Sequence, residues 1–150
     1  MISRRNLSAL MVTTLAAQTG YPIGDAEAPA PPFGWSGTPG EIGSTFTPYS
    51  IVTPGSASNF SGPFSDSHAD IQLPYTVSSF GTSREQCEWI CDKAREAFIS
   101  LKDTVFDGID SDYVILQVRT MTMGGIVRSA NVEPATFGET DVFSVWASKA

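Results

Sequence analysis

From Ala69 to Val77 apolar residues hold the odd positions (Ala69, Ile71, Leu73, Tyr75, Val77), while Asp70, Gln72, Pro74 and Thr76 hold the even ones. That two-residue period predicts a strand with one packed face. Gly81 ends the extended run. Beyond it Cys87, Ile90, Cys91, Ala94, Phe98 and Leu101 recur at intervals of three and four, so they form one stripe of an amphipathic helix. Two frames suit its start, Thr82 with Glu85 and Ser83 with Gln86, each pairing a hydroxyl with an acceptor three residues on as a capping box requires. The expected core is a sheet covered by this helix.

A second helix is expected over 3–19, with Ser3 as N-cap, Leu7, Leu10, Met11, Thr14 and Leu15 facing the core, and Gly20 as its stop. The same stretch, with Ser3-Arg4-Arg5 ahead of small and apolar residues, also fits a twin-arginine export signal. Thr13 and Thr14 dilute its apolar run, and the helix is the stronger reading. Tyr49–Pro54 suits a short strand. Asp103 to Asp112 reads as a solvated turn, lacking the glycine and glutamate of a calcium loop. Tyr113 to Met123 reads as a strand, Gly124-Gly125 as a hairpin turn, Ile126 to Arg128 as its return, and Asp141 to Ala147 as the last strand, with Pro134 interrupting the ladder. Together these elements predict an α+β fold: a twisted, largely antiparallel sheet of four or five strands packed by two main helices.

Between Gly20 and Pro63 lie 16 of the 23 glycines and prolines. An arm over about 20–63 is too long for an ordinary loop. It is also too rich in aromatics for a disordered one, since Tyr21, Phe33, Trp35, Phe46, Tyr49 and Phe60 are spaced along it. The arm is therefore expected to pack on its own domain or on a neighbouring subunit. Trp89 falls on the side of its helix opposite the core stripe, where a tryptophan is expected to pack on another subunit or on the aromatic arm containing Trp35. Trp89, Trp35, Phe33 and Tyr21 are accordingly the candidate subunit-interface residues.

Length and apolar content, 150 residues and 41%, suit one domain over 1–150. No apolar run approaches the roughly 20 residues of a membrane-spanning helix. The net charge is −7, and no Lys or Arg lies between Arg5 and Arg84, a stretch holding Asp25, Glu27, Glu41, Asp66 and Asp70. Such a surface is poorly suited to gripping nucleic-acid phosphates. Asp66, His68 and Asp70 have the composition of a metal site, but the stronger reading is a polar lead-in to the strand, since no further ligand is near. His68 is the single histidine, and neither a Gly-x-Ser-x-Gly elbow nor a phosphate-cradling loop with lysine is present. No enzyme activity, cofactor or metal is therefore expected. Cys87 and Cys91 stand four apart on one helix, a placement unsuited to a disulfide and short of the ligands zinc needs. They read as small apolar core residues, as expected of a reducing compartment.

The order of residues carries a resemblance. The run from Phe64 to Arg95, with Gly81-Thr82-Ser83-Arg84-Glu85-Gln86 at the helix start, resembles the tail terminator proteins of long-tailed phages of actinobacteria. So do Leu15 to Pro29 with the turn Gly20-Tyr21-Pro22-Ile23-Gly24-Asp25, then Gly34-Trp35, Tyr49–Pro54, Val132 to Phe137, and Asp141. The resemblance implies a structural virion protein whose copies form a ring, six being expected, at the head-proximal end of the tail, assembled in the host cytoplasm. Such a ring caps the tail tube, stops its polymerisation and joins it to the neck, so its partners are itself, the tube protein and a neck protein. DNA passes through the lumen without specific binding. A head–tail connector of the same virion is the nearest alternative, and a small exported domain is a more distant one.

Overall fold

In the computed structural model residues 4–55, 58–59, 70–101, 105–109, 112–129 and 134–149 are described. Helix α1 (Arg4–Thr19) fully buries Leu7, Met11 and Leu15, four residues apart, with Leu10 half-buried beside them. Gly20 ends it in the left-handed conformation, φ 71°, its N–H bonded to the Ala16 carbonyl at 3.1 Å. Ser3 lies outside the described residues. Helix α2 (Arg84–Ile99) starts in the Ser83 frame, where Ser83 Oγ accepts the Gln86 N–H at 3.1 Å. Gln86 Oε1 in turn accepts both the N–H and the hydroxyl of Thr82 at 2.8 Å. That occupies the Thr82 N–H that a Thr82 frame would give to Glu85, which is exposed. The buried stripe is the expected one with Ala97 added.

The strands are β1 (Ile23–Asp25), β2 (Gly34–Ser36), β3 (Thr45–Thr47), β4 (Tyr49–Pro54), β5 (Ser58–Asn59), β6 (Asp70–Gly81), β7 (Val105–Ile109), β8 (Asp112–Thr122), β9 (Val127–Arg128) and β10 (Phe137–Lys149). All but β2 and β3 join one mixed, largely antiparallel sheet in the order β1-β4-β6-β10-β8-β7; β5 also pairs β6, and β9 also pairs β10. β2 and β3 form a separate antiparallel pair. The fold is α+β, six strands across, the width beyond five coming from short edge strands without a readable period.

Both helices lie on one face. Leu73, Tyr75 and Val77 of β6 bury toward them, in register with Val145, Phe143 and Asp141 of β10. Phe98 of α2 stacks on Phe143 with ring centroids 4.4 Å apart, and the buried Tyr75 hydroxyl pairs with Ser8 of α1 at 2.9 Å. Each large side chain fully buried here contributes about 1.5–3 kcal/mol. At the corner between β6 and α2, a Cβ on Gly81 would sit 2.9 Å from the Cys87 amide nitrogen, so the close approach requires glycine.

Three expectations are corrected. Residues 105–109, expected within a turn, form β7 against β8, because Val105, Phe106 and Ile109 meet an open sheet edge that local sequence does not reveal. Gly124-Gly125 is not a hairpin turn: β8 and β9 pair the same edge of β10 in the same antiparallel sense. The glycines interrupt one edge where the chain presses on β10, and a Cβ on Gly124 would collide with the Thr140 carbonyl oxygen. The last strand begins at Phe137 rather than Asp141, since β6 continues to Gly81 and pairs with it throughout.

Candidate functional site

The four candidate interface residues fall in two places. Trp89 stands on the outer side of α2, 40% exposed. Tyr21, just past the α1 cap, meets it edge to face with ring centroids 5.2 Å apart and planes at 87°. Lys93, one turn on, holds its ammonium 5.9 Å from the Trp89 ring centre, a cation–π contact. A shallow depression lined by Ser83, Glu85, Gln86 and Trp89 adjoins them. The result is an ordered aromatic platform rather than a loose side chain.

Phe33 and Trp35 belong to the other side of the sheet. Val52 and Val77 face the helices, so Tyr49 and Phe80, of opposite parity on β4 and β6, point away. Phe33 packs edge-on against Tyr49 at 5.1 Å, Tyr49 stacks on Phe80 at 5.0 Å, and Phe46 approaches Tyr49 at 6.3 Å and Trp35 at 5.5 Å. The described part of the arm, through β2 and β3, thus folds back on its own sheet through a chain of rings. Of the two modes expected for the arm, this is packing on its own domain.

Asp66 and His68 lie outside the described residues, and Asp70 enters only through its backbone pairing with Ser148. Among the described residues the group with metal-ligand spacing is a different one, Cys91, Glu139 and Asp141. A cation already serves it: Arg95 donates from Nη2 to Asp141 Oδ2 at 2.9 Å, stands 3.7 Å from Glu139, and donates from Nη1 to Asp92 at 2.8 Å. Burial pushes the Glu139 carboxyl above its ordinary range. The Cys91 thiol is pushed up by its hydrogen bond with Cys87 and by burial, and so stays protonated and unreactive at neutral pH. This cluster joins α2 to β10, and its Glu139 lines the groove described next.

The cluster also reaches the edge of the sheet, because Asp141 Oδ1 accepts the Gly124 N–H at 3.1 Å. Beside it runs a groove lined by Phe80, Gly124, Gly125, Val127, Gly138 and Thr140 among others. Sequence reasoning missed both features. The available signal was Asp141 itself, an acid at the parity of Phe143 and Val145 on the packed face. No helix among the described residues is long and apolar enough to cross a membrane. No protein-family model matches the chain, and no curated protein matches it significantly.

Proposed function

We propose that this chain is a structural assembly protein, a tail terminator whose ring caps the tube of a long phage tail and joins it to the neck. The observation that carries the reading is that the residues behind the resemblance occupy positions where backbone geometry demands them. Gly81 admits no side chain against Cys87, and a Cβ on Gly24 would collide with the Glu27 carbonyl oxygen. Ser83 and Gln86 cap α2, and Asp141 anchors Arg95. These residues fix the corners of this backbone, and capping is a function of shape: one face of a closed ring accepts the last tube ring while the other accepts none.

The surface supports this reading, since the Trp89 platform offers apolar area with a donor at an accessible helix face. Electron microscopy of the purified protein tests it, together with polymerisation of the tube protein in its presence. Rings that arrest tube growth are the expected result. Monomers that leave tube length unchanged would overturn it, and rings that bind a portal complex but not the tube would assign the chain to the neck.

A further inference from the structure

In the sequence Cys87 and Cys91 stand short of the ligands zinc needs, and the fold supplies the rest. Four residues apart on α2, the two thiols share one buried helix face and hydrogen-bond each other. Glu139 and Asp141, two apart on β10, share the face of the sheet that α2 covers. The ligand atoms of Cys91, Glu139 and Asp141 lie within 4.8 Å of one another, and Cys87 joins them through its bond with Cys91. A tetrahedral zinc with bonds of about 2.0–2.3 Å holds its ligands roughly 3.3–3.8 Å apart, a difference that side-chain rotation covers.

Arg95 does not close this cluster. Its Nη2 bonds Asp141 but stands 3.7 Å from Glu139, beyond hydrogen-bond range, and its Nε is buried with no partner among the described residues. Two thiols and two carboxylates thus sit buried, or nearly so, around one guanidinium. Such groups either keep their protons or hold a metal. Sulfur with carboxylate oxygen is a donor set that zinc takes. Arg95 then keeps its bond to Asp141 as the outer partner of a ligating carboxylate, as the Gly124 amide does on the other oxygen. Zinc and Arg95 together nearly neutralise four ionised ligands that neither would neutralise alone.

We propose that Cys87, Cys91, Glu139 and Asp141 form a structural zinc site that staples α2 to β10. Four protein ligands leave no position for a substrate, which is the mark of a closed site. Bound there, zinc ties the last strand of the chain to the helix that covers it, and its binding energy adds to the stability of that contact. The site is independent of the assembly reading above.

The full chain, expressed with zinc or cobalt(II) in the medium and purified without chelator, tests the site. Stoichiometric metal is expected by elemental analysis, with a thiolate-to-cobalt charge-transfer band in the cobalt form and a Tm that falls when a chelator removes the metal. Cys91→Ala should lose both metal and band. Glu139→Gln keeps the size of its side chain and should fold without metal, yet bind zinc more than about a hundredfold more weakly, beyond the loss typical of a residue that only touches a ligand. That variant decides the matter if Cys91→Ala fails to fold. Wild-type protein free of metal, with a Tm indifferent to zinc and to chelator, would overturn the site and leave the thiols as core residues. Metal retained by both variants would overturn it too, and its loss on His68→Ala would place it instead at Asp66, His68 and Asp70.

Discussion

Arg95 gathers three carboxylates, and Asp141 is the one it depends on: the acid is nearly fully buried and binds both the guanidinium and the Gly124 amide. Asp141→Ala leaves a largely buried cation short of its best partner and should cost about 3 kcal/mol in denaturant unfolding, the scale for breaking a buried pair. Glu139 behaves oppositely. Burial holds its carboxyl above the ordinary 4.5, so the folded state keeps that proton to higher pH than the unfolded chain does. Its contribution is complete below pH 4.5 and is lost as pH rises through the folded value. Glu139→Gln should remove that slope and be at least as stable as the wild type at pH 7, as unfolding curves from pH 4 to 7 would show. Of this cluster only Asp141 left a trace in the sequence. Arg95 stands 46 residues away, and only the completed fold unites them.

The two helices were legible because sixteen residues each give several turns of a clear period. Leu15 is fully buried whereas Leu10 is only partly so, which separates two substitutions alike on paper. Leu15→Asp should destabilise by more than about 3 kcal/mol and abolish soluble expression, while Leu10→Asp should leave some folded protein. Strands of two or three residues, such as β1, β2 and β3, have no period to read and exist because a neighbour offers a ladder. Gly124-Gly125 misled for a related reason. A glycine pair signals a turn locally, but here it answers the Thr140 backbone across the sheet.

At the scale of the whole molecule, the four interface candidates do not form one patch. Trp89 and Tyr21 brace each other on the helical side, whereas Phe33 and Trp35 help to hold the arm against the opposite face. Trp89→Ala should therefore lower Tm only slightly and, under the proposed ring assembly, weaken self-association more, with sedimentation beside thermal unfolding as the measurement. A variant that forms full rings at wild-type concentration, or one that fails to fold, would remove Trp89 as an anchor.

The placement of β10 bears on how the protein is made. It is the last strand in chain order, yet it lies between β6 and β8 and pairs with β6 over twelve consecutive positions, from Phe137 opposite Gly81 to Ser148 opposite Asp70. During synthesis α1, the arm and α2 emerge before that strand, so the pairings of β10 with β6 and β8 form last, a non-local step that topology makes slow. A ribosome that stops short of residue 137 releases a chain without the strand that joins β6 to β8, so an interrupted product lacks Phe143 and Val145 of the core.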